Sequence, residues 1–155
     1  MLDGYDTDTV TRLETNLDDL SPEITGAVME KLLAAGALDV WFTPIQMKKN
    51  RPGILLSLLC EEALTDNLAE IIFRETSAFG LRMERIVRLK LGRRFVDVNT
   101  PSGPVRIKLG LKEDRVVQVS PEFESCRKVS DASGVPLRHV YAEAVRCWHE
   151  QHGQG

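Results

Sequence analysis

The stretch from residue 38 to residue 59 constrains the fold most. Leu38, Val40 and Phe42 alternate with Asp39, Trp41 and Thr43, which is the period of a half-buried strand. Ile54-Leu55-Leu56-Ser57-Leu58-Leu59 is a nearly continuous apolar run, as an inner strand requires. Between them lies only a short polar corner ending in Pro52-Gly53, so the two strands must reverse on one another. Pro fixes φ and Gly tolerates φ > 0, which predicts that this pair sets the turn.

A helical pattern flanks the corner on each side. Ser21-Pro22-Glu23 has an N-cap residue, a proline at the first helical position and an acid at the positive helix end. Ile24, Ala27, Val28, Leu32 and Ala35 form the expected apolar stripe, and Gly36 the stop. Glu61-Glu62 opens a second helix, with Leu64, Leu68, Ile71 and Ile72 on its core face. A strand precedes the first helix, with Leu13, Thr15 and Leu17 on one face and Arg12, Glu14 and Asn16 on the other. Another follows the second helix, led by Leu81, Met83, Val87 and Leu89.

The order β-α-β-β-α-β predicts an α+β, ferredoxin-like antiparallel sheet with both helices on one face. Additional strands follow at 95–98, 105–109 and 116–119, with a hairpin turn at Thr100-Pro101-Ser102-Gly103. Two C-terminal helices complete the chain. The first starts at Pro121 and stops at Gly134. The second starts at Pro136 and carries Leu137, Val140, Tyr141, Ala144, Val145 and Trp148 as a core or subunit-contact stripe. Residues 1–10 read as a disordered lead-in or linker. Residues 11–152 read as a single α+β domain, and Gly153-Gln154-Gly155 as a frayed tail.

Composition narrows the partners. The net charge of −3 is not that of a general nucleic-acid or membrane binder. It hides an asymmetry: residues 1–35 carry eight acids and two bases, and the remainder 18 bases and 15 acids. Such a division suits a metal–phosphate ligand and suits self-assembly equally well. Cys60, Cys126 and Cys147 form no CxxC pair, and their odd number fits a reducing cytoplasm better than a disulfide framework. No apolar run reaches the ~18 residues of a membrane span, and no signal peptide is visible.

Two groups of residues could carry chemistry. Lys48, Lys49 and Arg51, with Asn50 between them, put three cations within four residues on the corner. Arg offers a planar fork for phosphate oxygens, and Lys a point charge. Thr76 and Ser77, just past the second helix, add hydroxyls and free amides, and Arg82 begins the next strand. Glu14, Asp18 and Asp19, with Glu23 beyond them, form an acidic counterpart whose oxygens suit Mg²⁺ or Mn²⁺. Each group also fits ordinary solvated surface. No GxxxxGK and no strand-borne GxGxxG occurs, so a phosphate site here would be built from side chains and turn amides. The spacing leaves open whether these groups meet within one subunit. His139, His149 and His152 lack a metal-site spacing beyond one i, i+3 pair, and Ser77 has no elbow motif or nearby His for a triad.

Three runs carry a family resemblance: Leu13-Glu14-Thr15-Asn16-Leu17-Asp18-Asp19-Leu20-Ser21-Pro22-Glu23, Asp39 to Gly53, and Glu75-Thr76-Ser77-Ala78-Phe79-Gly80-Leu81-Arg82. Together they resemble the C-terminal domain of the LarC-type nickel insertion proteins. The likeness continues weakly through Pro121-Glu122 and Gly134-Val135-Pro136-Leu137 and covers most of residues 8–147. The resemblance implies a CTP-binding domain of a CTP-dependent nickel chelatase. That enzyme inserts nickel into pyridinium-3,5-bisthiocarboxylic acid mononucleotide, making the nickel-pincer cofactor of lactate racemase. It implies CTP and Mn²⁺ or Mg²⁺ as cofactors, nickel as a substrate of the full-length protein, and a homo-hexamer. Lys48, Lys49, Asn50, Arg51, Thr76, Ser77 and Arg82 would then hold the triphosphate, and Glu14, Asp18 and Asp19 the divalent ion. The pincer precursor and lactate racemase would be partners of the full-length protein. Members usually carry a long N-terminal region, so the chain reads as an excised domain or a split-gene product. The alternative reading is a non-catalytic oligomerisation module.

Overall fold

The computed structural model describes residues 3–153. Its described part falls into two compact units, where the sequence reading treated 11–152 as one domain. The first is Thr7–Arg88; the second is the chain from Leu89 onward together with residues up to Asp6.

The first unit is the expected ferredoxin-like arrangement. Its elements are β1 (Asp6–Leu17), α1 (Pro22–Ala34), β2 (Asp39–Met47), β3 (Arg51–Cys60), α2 (Thr65–Glu75) and β4 (Arg82–Lys90). The strand order is β2-β3-β1-β4. The two registers, Thr11↔Cys60 to Leu17↔Ile54 and Asp39↔Leu59 to Met47↔Arg51, are antiparallel. Leu13 and Leu17 of β1, Val40 of β2, and Leu56, Leu58 and Cys60 of β3 are buried with Val28 and Leu32 of α1 and Leu68 and Ile72 of α2. Ser21 caps α1 as expected, its hydroxyl accepting from the Ile24 amide at 3.4 Å. Lys31 near the end of α1 is 2.5 Å from Glu75 at the end of α2. That contact draws the Glu75 carboxyl below its ordinary range, with Arg74 helping.

Four further expectations, all bearing on the first unit or the chain termini, are corrected. Residues 6–10 are not a lead-in: β1 starts at Asp6, and Val10 is buried. Met1 and Leu2 of that segment, and Gln154 and Gly155 of the expected tail, lie outside the described residues. Ile24 and Ala27 are exposed: the buried face of α1 is Thr25, Val28 and Leu32, spaced three and four residues apart, and the other two lie on its flank. Met83, Val87 and Leu89 of β4 are exposed, because β4 is an edge strand paired only to β1.

The fourth concerns the corner. Pro52 and Gly53 are paired inside β3, opposite Gln46 and Ile45. The reversal is made by a 3₁₀ turn, Lys48–Asn50, with Lys49 (φ 59°) and Asn50 (φ 57°) both left-handed. Asn accepts that region readily, whereas Lys does so at a cost. The Gln46 side chain braces the turn by donating to Asn50 Oδ1 at 3.0 Å.

The second unit holds β5 (Gly92–Thr100), β6 (Gly103–Lys112), β7 (Arg115–Pro121), α3 (Phe123–Ser133) and α4 (Leu137–His152). The sheet is an antiparallel meander in the order β5-β6-β7. Val98, Val105, Ile107 and Leu109 pack with Cys126 and Val129 of α3 and Val140, Ala144, Cys147 and Trp148 of α4. Pro121 ends β7 rather than opening a helix; α3 begins two residues later and stops at left-handed Gly134 (φ 73°). Burial raises the thiol pKa of Cys60 and Cys126, as expected of core residues.

Gly53 is glycine for space. A Cβ there would lie 2.7 Å from Met47 Sδ and 2.8 Å from the Leu17 carbonyl oxygen. The methionine can move; the carbonyl of the neighbouring strand cannot. Gly53→Ala should therefore cost about 1–3 kcal/mol in urea unfolding, in the range for overpacking. Unchanged stability would show that the strand end is looser than drawn.

Candidate functional site

The sheet order brings three segments to one end of the sheet in the first unit. β1 leaves the sheet at Leu17, opposite Ile54. β2 leaves at Met47, opposite Arg51. β4 enters at Arg82, whose guanidinium donates to Asn16 Oδ1 at 2.7 Å. The basic turn, the acidic segment after β1 and the 76–82 segment therefore share one end of one sheet, so these groups do meet within a single chain.

Specific contacts tie them together. Arg51 Nη1 is 3.4 Å from Asp18 Oδ2. The Ser77 hydroxyl donates to Asp19 Oδ1. The Thr15 hydroxyl, on the core side of β1, donates to the Gly80 carbonyl at 2.9 Å and holds the 76–82 segment against the strand. Thr76 shapes that segment: its hydroxyl donates to the Ile72 carbonyl at 2.7 Å and accepts from the Ala78 amide at 3.1 Å. Its proton is thus committed, and a bound anion would receive none from it. Lys48 and Lys49 are exposed and, among the described residues, form no ion pair. They are the unspent cations of the corner.

Glu14 lies differently from Asp18 and Asp19. It stands on the outer sheet face between two guanidiniums, Arg12 Nε at 3.4 Å and Arg82 Nε at 3.6 Å. It also accepts from Ser57 Oγ at 3.2 Å. Arg12 reaches on to Glu84 at 2.6 Å. Two cations beside a carboxylate disfavour a third, so Glu14 is placed to fix Arg82 rather than to meet a metal ion. Among the described residues no three of His, Cys, Asp or Glu come together as a metal-holding group. The three acids therefore do not make one cluster. Asp18 and Asp19 stand apart from Glu14, Asp18 paired to Arg51 and Asp19 accepting from Ser77.

Sequence reading missed Ser57, Arg12 and Glu84 as members of this network. Ser57 could have been found, since it is the one polar residue in the run Ile54 to Leu59. It also missed a pocket of about 320 Å³ beside the corner. Leu17, Asp18, Pro22, Phe42, Pro52 and Ile54 are among the residues that line it.

Fold and site together define an α+β domain that gathers exposed cations, two aspartates and a largely apolar pocket at one sheet end. Comparison with known proteins makes the class specific. A family model described as nickel insertion protein matches residues 2–141. The pyridinium-3,5-bisthiocarboxylic acid mononucleotide nickel insertion protein of Thermotoga petrophila is 39% identical over 134 residues, covering 86% of this chain and 34% of that protein. The protein of the same name from Thermotoga sp. (strain RQ2) is 40% identical over 129 residues, covering 83% and 32%. Among solved structures, LarC2, the C-terminal domain of a cyclometallase involved in synthesis of the NPN cofactor of lactate racemase, superposes with a TM-score of 0.88 at 38% identity. It covers 92% of this chain and 99% of that one. A protein from Methanopyrus kandleri AV19 gives a TM-score of 0.68 at 27% identity, covering 95% and 92%.

The chain belongs to the nickel insertion protein family. It spans about a third of the length of the curated relatives it matches.

The Glu14 network is open to test. Glu14→Gln removes the charge shared by Arg12 and Arg82, whose side chains are 34% and 58% exposed. Solvent screening keeps the cost to about 1–2 kcal/mol. Urea unfolding measures it, and a stability equal to wild type would deny the network a structural role.

Proposed function

We propose that this chain is the nucleotide-binding part of a nickel insertase that acts on a pyridinium bisthiocarboxylate mononucleotide, with CTP and Mn²⁺ or Mg²⁺ as cofactors and nickel as substrate. The observation that supports it most is the meeting of Lys48, Lys49 and Arg51 with Asp18 and Asp19 at one sheet end, beside an apolar pocket.

In this reading the triphosphate lies across the basic turn. Lys48 and Lys49 meet phosphate oxygens as point charges and Arg51 as a fork. Arg51 can be recruited cheaply: its pair with Asp18 is 58% exposed on the arginine side, and such pairs are worth about 0–1 kcal/mol. A phosphate that draws Arg51 away frees Asp18. Asp18 and Asp19 would then hold the divalent ion, which when bound neutralises phosphate charge. Ser77 keeps Asp19 in place, Arg82 stands beside Asn16 as a further cation, and Thr76 shapes the segment that carries Ser77. The base would enter the pocket that Phe42 and Ile54 line. Asn50 contributes by holding the turn.

A second reading has its own observation. The exposed Met83, Val87 and Leu89 of the β4 edge are what an assembly surface would offer; a homo-oligomer, a hexamer in the family pattern, is compatible with nucleotide binding, and a purely oligomerising module is the alternative.

Thermal shift separates them. CTP with Mn²⁺ should raise the melting temperature more than ATP, GTP or UTP, since a ligand at a hundredfold excess over its Kd adds about 2.7 kcal/mol. Lys48→Ala combined with Arg51→Ala should weaken CTP binding by about 3 kcal/mol, roughly a hundredfold in calorimetry. No shift with any nucleotide would favour the assembly module. Undiminished binding by the double variant would remove the triphosphate from the turn.

A further inference from the structure

The second unit carries a groove that the nucleotide reading does not use. It has a volume of about 640 Å³, within the range of small-molecule sites. Arg94, Arg115, Val116, Val117, Trp148 and His152 are among its lining residues, with His149 beside them.

Three features depart from what packing alone would produce. The first is Arg94. On β5, Val98 pairs with Val105, Val96 with Ile107 and Arg94 with Leu109. Directly opposed residues share a sheet face, so Arg94 continues the row of Val98 and Val96 on the face that carries the core. The exposed Arg94 guanidinium extends that row past the buried valine, and among the described residues it has no carboxylate partner. Among the described residues, Arg93, Arg94, Arg115 and Arg138 are the arginines without an ion-pair partner. Two of the four line this one groove.

The second is a bulge. Gly110 pairs with Gln118 and Leu111 with Val116, which leaves Val117 as the extra residue of β7. Neighbours on a strand normally face opposite ways. The bulge lets Val116 and Val117 line the groove together.

The third is the end of α4. Trp148 is nearly buried, and the His152 ring stacks on it at 3.7 Å and 16°. His152 Nδ1 lies 3.1 Å from the Trp148 carbonyl, which can only accept, so Nδ1 donates and Nε2 stays unspent. The carboxyl end of a helix carries about half a negative charge, against two full positive charges from the arginines. The lining contains no carboxylate.

We propose that this groove is a binding site for a small organic anion with a flat ring, an aromatic phosphate monoester or carboxylate. Arg94 and Arg115 take the charge, the valines and the Trp148–His152 stack take the ring, and His149 and His152 close the rim. A metal ion fits less well. Two arginines repel it, and the two histidines find no third ligand among the described residues. The site goes beyond the proposed nucleotide function and does not depend on it.

The test uses the unaltered chain and phenyl phosphate. Its three histidines give three imidazole NMR signals, and His139, which does not line the groove, is the internal control. Phenyl phosphate should shift His149 and His152 saturably and leave His139 in place. Inorganic phosphate carries the charge without the ring, and phenol the ring without the charge; each should bind at least about tenfold more weakly. Arg94→Ala with Arg115→Ala should weaken phenyl phosphate about tenfold or more, while Lys48→Ala with Arg51→Ala should leave it unchanged. Both arginines are exposed, so the fold should survive the change. Absence of a saturable shift, an equal shift at His139, equal binding of inorganic phosphate, or indifference to the arginine pair would each overturn the proposal. Loss of binding in the turn variant would also overturn it.

Discussion

β1 is paired on both sides, to β3 and to β4, and its two faces do different work. The odd-numbered residues Leu13, Thr15 and Leu17 are buried against the helices. The even-numbered Arg12, Glu14 and Asn16 hold the outer-face network of charges. A shift of one residue would exchange these sets and place three polar groups in the core, so the register is strongly specified. That register brings the end of β1 beside Arg51 and Arg82. The candidate site is a consequence of it, because none of its three segments is long enough to find the others unaided.

The site is built mostly from exposed charge, and this decides how it can work. Pairs such as Asp18–Arg51 contribute little to stability. They can exchange partners when a more highly charged ligand arrives. Stability comes from the apolar layer beneath, where Leu13, Leu32, Leu56, Leu58, Leu68 and Ile72 are fully buried. The division lets the corner be polar and strained, with Lys49 in the left-handed region, while the sheet below stays unaffected.

Much of the fold was legible in the sequence. The two-residue alternation of Leu13, Thr15 and Leu17, the cap at Ser21 and the apolar run after Gly53 each carried a local physical signal, and together they implied the ferredoxin-like order. Legibility failed where tertiary context decides. Met83, Val87 and Leu89 have the pattern of a buried face but lie on an edge. Pro52-Gly53 has turn chemistry but serves a close strand approach, while Lys49 and Asn50 make the turn. The basic corner, Asp18 and Asp19 were visible as charge, but their meeting was not, since it depends on which strands are neighbours. Glu14 looked like one more acid of the run. Only the sheet shows it between two guanidiniums. Arg94 and Arg115 gave no signal, because nothing in a sequence says which arginines lack partners.

Membership of the nickel insertion protein family fits this architecture, and in the proposed function one sheet end of one chain receives a metal–triphosphate. Anomalous diffraction from a crystal grown with CTP and Mn²⁺ addresses it directly. The manganese peak is expected beside Asp18 and Asp19, with phosphate density reaching Lys48 and Arg51. A manganese peak remote from both aspartates, with the triphosphate away from the 48–51 turn, would contradict it.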